Sequence, residues 1–208
     1  MGKPFRFLLT AFFLLAAALT RAATPAPSAE EAKPLPVGAK APGLTLTDLN
    51  GAKVDLAATF ATQPTVLVFY RGSWCPYCNA QLAALGELEP KLQALGYQTI
   101  AISPDTADGL QQMAGKNHLA YRLLSDHGMA ASAAYGVAFR VSGKTAEAYQ
   151  KHGITLTPIP DGEGTWLPVP TVYLIGRDGV IKFVYSNPDY KVRLSSADLL
   201  KAAESAAK

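Results

Sequence analysis

Both cysteines of the chain fall in one short motif, Cys75-Pro76-Tyr77-Cys78. Two residues between the thiols, at the start of a helix, bring the sulfurs within bonding reach without a large loop. A helix N-terminus carries partial positive charge and unpaired N–H groups, and both favour a thiolate. A free thiol titrates near about 8.5, and such a setting lowers it by one to several units. The thiolate is the species that attacks a disulfide, so the placement makes one sulfur reactive and keeps its partner close enough to resolve a mixed disulfide. Cys75, at an expected exposed turn, is predicted to attack. Cys78, one turn into the helix, is predicted to resolve. Pro76 suits the first helical turn because it has no N–H to leave unpaired.

Other uses of the pair are open at this stage. A zinc site needs two further ligands, and His118, His127 and His152 offer no His-x-x-x-His pair. A c-type haem needs a histidine directly after the second cysteine, and residue 79 is Asn. A structural disulfide would close a very small loop and remove little unfolded-state entropy. A redox dithiol is the expected reading. No cofactor and no metal is expected, since neither a Gly-x-Gly-x-x-Gly nor a phosphate-loop pattern occurs.

Strand and helix patterns alternate around this motif. Thr65-Val66-Leu67-Val68-Phe69-Tyr70 is a continuous apolar run, as expected for a strand covered on both faces. Leu82, Leu85, Leu88, Leu92 and Leu95 recur at helical spacing from Cys78 until Gly96. A second buried strand is predicted over 99–103, a helix through Leu110 and Met113, a short strand at Arg122-Leu123-Leu124 and a helix around Met129 to Tyr135. Upstream, 44–47 and 54–56 flank Asn50-Gly51, a hairpin signal, and downstream 171–175 and 180–185 flank Arg177-Asp178-Gly179, another. Residues 136–165 read as irregular apart from a helical stretch near 145–151. A last helix starts near Ser196. Parallel βαβ units followed by an antiparallel hairpin and a closing helix make an α/β fold with a mixed central sheet. Glu87 and Glu89 are expected on the solvent face of the leucine-spaced helix, Trp166 and Tyr173 in the core, and Tyr190 and Arg193 in a solvated loop.

The ends read differently from the middle. Lys3 and Arg6 precede an apolar run from Phe7 to Leu19, with Ala22 and Ala23 after it, so residues 1–22 are expected to be a signal peptide. Residues 23–36 are rich in Pro and Ala and read as a flexible or polyproline-like linker, leaving one domain over 37–205. Without Lys3, Arg6 and Arg21 the chain holds 16 basic against 16 acidic residues. It has no basic run of five, so neither nucleic acid nor a membrane surface is indicated as a partner, and no stable membrane insertion is expected after cleavage. At 208 residues, 49% hydrophobic and 17% charged, the chain is neither disordered nor a disulfide-stapled miniprotein. A leader followed by a redox dithiol points to secretion across the inner membrane into the bacterial periplasm, where disulfides are permitted.

The stretch Phe69 to Cys78 resembles the thioredoxin-like redoxins, specifically the peroxiredoxin-like AhpC/TSA branch related to alkyl hydroperoxide reductase and thiol-specific antioxidant proteins. The resemblance extends from about Val37 to Ala202 through Gly38-Ala39-Lys40-Ala41-Pro42, Asn50-Gly51, Ile102-Ser103-Pro104-Asp105, Tyr135-Gly136-Val137, Val169-Pro170-Thr171 and Asp189-Tyr190-Lys191-Val192-Arg193. It implies a thioredoxin-like fold with a mixed central sheet flanked by helices and an N-terminal β-hairpin extension. It also implies a cis-proline at Pro170 opposite the dithiol, with the backbone of Val169 facing the sulfurs and free to pair with an extended substrate segment. The matching is incomplete. Cys78 occupies the position of the peroxide-reactive cysteine, Arg71 stands at the usual proline, Cys75 at the usual threonine and Val169 at the usual later arginine. Arg71 or Arg193 would have to supply the missing donors for O–O cleavage. The resemblance offers no clear buried carboxylate as proton shuttle; Asp55 is only a guess.

The expected function is a thiol–disulfide oxidoreductase with Cys75 and Cys78 catalytic. Trp74, Pro76, Tyr77, Arg71, Val169 and Pro170 are expected to bind the substrate. The alternative is a thiol peroxidase reducing hydroperoxides with Cys78 peroxidatic and Cys75 resolving; a non-catalytic binding module with a disulfide clip is the third reading. The expected partners are protein or small-molecule thiols and disulfides, hydroperoxides under the alternative, and an external thiol or disulfide redox partner.

Overall fold

The computed structural model describes residues 24–117, 119–158 and 164–207. The segment read as a signal peptide lies outside the described residues. The apolar run at the centre forms β3 (Thr65–Phe69), buried at every position. Its side chains alternate between two cores: Val66 and Val68 face one, Leu67 and Phe69 the other. Burial on both faces is why this strand reads as unbroken rather than alternating.

The central sheet runs in the order β10 (Ile181–Ser186), β9 (Thr171–Ile175), β3, β4 (Gln98–Ser103), β5 (Arg122–Ser125), β1 (Thr45–Asp48), β2 (Lys53–Asp55), with β4 and β5 parallel to β3. The expected hairpins are β1 (Thr45–Asp48) with β2 (Lys53–Asp55), and β9 (Thr171–Ile175) with β10 (Ile181–Ser186), both antiparallel. β9 lies antiparallel against β3, so the sheet is mixed. Helices α2 (Pro76–Ala94) and α6 (Ser196–Ala206) contact each other on the face of the first core. Helix α3 (Ala107–Asn117) contributes Leu110 and Met113 to the same core. The other face takes α1 (Leu56–Thr62), through Leu56 and Phe60, and α4 (Ala130–Ala134), through Ala131.

Several elements depart from the sequence reading. Leu56, expected in the hairpin, instead opens α1, because the Asp55 carboxylate caps it by accepting from Ala58 N–H at 3.1 Å. The stretch 136–165 has the expected helix as α5 (Gly143–Lys151), but its remainder, expected to be irregular, carries β6 (Ala138–Val141) and β7 (Thr157–Pro158). With β8 (Thr165–Pro168) its strands build a second, three-stranded antiparallel sheet in the order β6-β8-β7. The expected flexible linker is held along the domain: Ala26 N–H donates to Ala138 O, Arg140 N–H to Ala26 O, Lys33 N–H to Gly136 O and Leu35 N–H to Tyr135 O. Glu89 is buried, its Oε1 accepting from Gln93 Nε2 at 3.1 Å, so it does not lie on the solvent face. Trp166 and Tyr173 are core residues as expected.

Candidate active site

Parallel β3 and β4 deliver the residues after their C-terminal ends to one edge of the sheet, where open α/β sheets place their sites. The turn after β3 runs through Gly72 and Ser73 to Cys75, the N-cap of α2, with Pro76 at the first helical position. Asp105, just past β4, holds the turn: its Oδ2 accepts from Ser73 N–H at 2.8 Å and from Ser103 Oγ at 2.9 Å, and its Oδ1 from Ser73 Oγ at 3.2 Å. Burial pushes the Asp105 carboxyl above its ordinary range, against those hydrogen bonds. Asn79, where a haem protein would carry histidine, ties the turn from the helix side through Nδ2 to the carbonyls of Ser73 and Cys75.

Both thiols are free and both are fully buried, which corrects the expectation of an exposed Cys75. Trp74 packs against the apolar cluster that contains them. The two thiols diverge in acidity. Cys75 is lowered from 9.0 to about 6, chiefly because the Cys78 thiol donates to its sulfur. Burial opposes this; the Cys78 backbone N–H and the charges of Arg71 and Arg193 add to it. Cys78 is pushed far up, first by burial and then by the adjacent Cys75 sulfur.

Arg193, expected in a solvated loop, reaches the site. Its Nη2 donates to Cys78 Sγ at 3.4 Å, while Nη1 holds Gln81 Oε1 at 2.7 Å and Nε holds Tyr190 O at 2.6 Å. Arg71 is buried and stacks on three rings: Tyr190 at 3.9 Å, Trp74 at 5.0 Å and Tyr149 of α5 at 5.4 Å, with a hydrogen bond to the Tyr149 hydroxyl. Tyr77 is exposed and meets Tyr190 edge-on at 5.7 Å. Cys75, Cys78, Trp74, Pro76, Tyr77 and Arg71 therefore form one constellation.

Val169 and Pro170 depart from expectation. No cis peptide occurs among the described residues, so the Val169–Pro170 bond is trans and Pro170 simply links β8 to β9. The trans form is the intrinsic preference of an X-Pro bond by about 0.5–1 kcal/mol. Val169 N–H donates to Val137 O at 2.8 Å and Val169 O accepts from Thr171 Oγ1 at 2.9 Å. The Val169 N–H that β-pairing with a substrate strand would need is thus already engaged. Asp55 caps α1 and is exposed, which removes it as a proton shuttle. Sequence reasoning missed Asp105, Asn79, Gln81 and Tyr149. Asp105 was accessible in principle, since the end of a strand parallel to β3 must share the dithiol's edge. Among the described residues no group of three or more His, Cys, Asp or Glu is placed to hold a metal.

A mixed sheet flanked by helices, with a Cys-x-x-Cys at the start of the helix after its central strand, is a thioredoxin-like fold. The chain belongs to the AhpC/TSA family, whose model matches residues 37–184. It is 28% identical over 150 residues to the chloroplastic peroxiredoxin Q of Oryza sativa subsp. japonica, covering 72% of this chain and 58% of that one. It is also 28% identical over 146 residues to the thiol-disulfide oxidoreductase ResA of Bacillus cereus, covering 70% of this chain and 66% of the relative. The chain thus spans somewhat under two thirds of the length of these curated relatives. Among solved structures, the peroxidoxin BcpB of Mycobacterium tuberculosis superposes with a TM-score of 0.64 at 21% identity, over 82% of this chain and 95% of that one. At that identity the likeness concerns the fold alone. Among the described residues no helix is long and apolar enough to cross a membrane.

Proposed function

We propose that the protein is a thiol–disulfide oxidoreductase in which Cys75 attacks and Cys78 resolves. The observation that carries this reading is the asymmetry of the pair: the Cys78 thiol and N–H both donate to Cys75, which is thereby the thiol ionised at neutral pH. Cys75 thiolate attacks one sulfur of a partner disulfide, whose other sulfur leaves as thiolate. Cys78 then attacks the Cys75 sulfur and releases the partner, leaving the Cys75–Cys78 disulfide and a partner reduced by two electrons. Trp74, Pro76, Tyr77 and Arg71 would meet the partner, and an external thiol would return the pair to its reduced form. The leader-like residues 1–22 support secretion to a bacterial periplasm, with the domain over 37–205 as the working unit.

A second reading rests on Arg193, whose Nη2 lies 3.4 Å from Cys78 Sγ. A guanidinium there would stabilise a Cys78 thiolate and the oxygen leaving a peroxide, with Cys75 resolving the resulting sulfenate. Stopped-flow of the single variants against a disulfide and against peroxide separates the two. Under the first reading Cys75→Ser abolishes disulfide exchange, and an unchanged rate in that variant sinks it. Rapid peroxide oxidation lost in Cys78→Ser but kept in Cys75→Ser would establish the second.

A further inference from the structure

Two arginines lie at the dithiol, and they divide its sulfurs between them. At Cys75 the charge of Arg71 acts ahead of that of Arg193. At Cys78 the acting charge is that of Arg193, while Arg71 offers its backbone N–H. Arg193 is also the one in contact with Cys78, through Nη2. Arg71 is buried, and no ion pair joins it to a carboxylate among the described residues. What holds its guanidinium is neutral. The rings of Tyr190, Trp74 and Tyr149 lie 3.9, 5.0 and 5.4 Å from its Cζ, and Nη2 donates to the Tyr149 hydroxyl. A carboxylate in their place would cancel much of the cation's field at the sulfur. Rings and a phenol attract the cation through their own dipoles and quadrupoles and leave its net charge intact. Asp105, which lines a cavity with Arg71, has its oxygens taken by Ser73 and Ser103, and burial favours its uncharged form. The two tyrosines come from elements remote from the dithiol in the chain. Tyr149 belongs to α5, a helix with no buried residue, and its ring packs on Trp74 at 5.1 Å. Tyr190, after β10, is anchored by its carbonyl on Arg193 Nε and edge-on by Tyr77.

We propose that Tyr149 and Tyr190 are positioning residues: they fix the Arg71 guanidinium beside the dithiol, where it is the uncancelled counter-cation of the Cys75 thiolate. The proposal rests on the exchange reading above and deepens it by naming what, besides Cys78, keeps the attacking sulfur ionised. Arg71 then serves attack and Arg193 serves resolution. A cation already fixed in a buried site needs no reorganisation when the thiolate forms. Without the rings, the long Arg71 side chain is free to turn its charge toward water, where its effect on the sulfur is screened. The other groups that act on Cys75 are the Cys78 thiol and backbone N–H, from α2, and the charge of Arg193. Neither tyrosine side chain holds these in place: Tyr190 meets Arg193 through its carbonyl, which every substitution keeps.

The test follows the pH midpoint of Cys75 alkylation by iodoacetamide in the reduced full chain. Arg71→Gln should raise it by about half a pH unit or more, a roughly three-fold loss of thiolate on the acid side. Tyr149→Leu and Tyr190→Leu, which remove the rings, should each raise it by less, and Tyr190→Phe, which keeps the ring, should hold the wild-type midpoint. The double variant decides the route: in an Arg71→Gln background Tyr190→Leu should add nothing, because the ring has no cation left to place. A merely structural tyrosine would lower the urea midpoint without moving the alkylation midpoint. An Arg71→Gln midpoint equal to wild type, or a Tyr190→Leu shift of the same size in both backgrounds, overturns the proposal. Should Arg71→Gln not fold, Tyr190→Leu against Tyr190→Phe still decides: a higher midpoint in the first supports the proposal and equal midpoints overturn it. Exchange of the wild-type protein with hydroxyethyl disulfide is measured alongside. No exchange, with the midpoints as expected, removes the exchange reading and keeps the counter-cation.

Discussion

The acidity of Cys75 is the property on which the chemistry turns, and it yields a prediction whose size depends strongly on pH. At pH 7 a thiol lowered from 9.0 to about 6 is roughly 90% thiolate, against about 1% for an unperturbed one. Intrinsic nucleophilicity falls with pKa along a Brønsted slope of about 0.4–0.5, which over three units costs roughly twenty-fold. The net advantage at pH 7 is therefore only about four-fold. At pH 5.5 the ratio of thiolate fractions grows to about 760, and the net advantage to roughly 35-fold. Iodoacetamide alkylation of the reduced protein, followed from pH 4.5 to 9 with peptide mass spectrometry to locate the label, should give a rate that rises through a midpoint near 6 and then levels. The rate falls on the acid side because the thiolate is lost as pH drops through the folded value. Burial slows access at every pH alike, so the midpoint and not the absolute rate carries the result. The leading cause also makes the effect separable. Cys78→Ala removes the thiol that donates to Cys75 and should move the midpoint up, whereas Cys78→Ser keeps a donor and should move it less. A wild-type midpoint above about 8, or first labelling at Cys78, would refute the asymmetry.

Two glycines give predictions of a different kind. Gly72 holds φ +147°, and a Cβ there would stand 2.5 Å from Trp74 Nε1 and 3.2 Å from Asp105 Oδ1. Gly72→Ala should cost about 1–3 kcal/mol in urea unfolding and shift the emission of Trp74, and an unchanged urea midpoint would count against the turn geometry. At Gly136, φ +71° and a Cβ overlapping the Lys33 carbonyl leave no room for a side chain. Gly136→Ala should cost about 1–2 kcal/mol and release residues 26–35, read as faster proteolysis within that segment than in wild type; equal cleavage rates would show that the segment does not depend on this contact.

What the sequence disclosed follows from how each element is held. β3 was legible because burial on both faces leaves an unbroken apolar run, and α2 because its leucines repeat on one face until Gly96. The dithiol's place was legible because only a helix start gives that spacing its chemistry. α1 was not, since seven residues opening directly from a strand show too little period, and only the Asp55 cap marks the change. The strands of the second sheet are two to four residues long, too short for an alternation to register. The segment 26–35 binds through backbone N–H and C=O groups, which any residue carries, so its Pro/Ala composition concealed the contact. Arg71, Tyr149 and Tyr190 are far apart in the chain and meet only once α5 and the stretch after β10 have been placed.

The same asymmetry that selects Cys75 also orders the steps of the proposed exchange. Burial comes first among the causes that hold Cys78 protonated, but the next two both come from Cys75: the hydrogen bond between the sulfurs and the charge of the Cys75 thiolate. Both vanish once the Cys75 sulfur is bonded to a partner. What remains on the other side is Arg193, whose charge lowers Cys78 and whose Nη2 lies 3.4 Å from its sulfur, together with the backbone hydrogen bond from the Arg71 residue. Formation of the mixed disulfide thus lowers the cost of ionising Cys78 at the moment when a second thiolate is needed, and not before. On this argument Arg193 acts in resolution more than in attack. Arg193→Gln should leave the first exchange within about two-fold while letting the mixed disulfide accumulate, as trapped by acid quench and mass spectrometry. Equal slowing of both steps would mean that Arg193 serves Cys75 instead, and the ordering would fail.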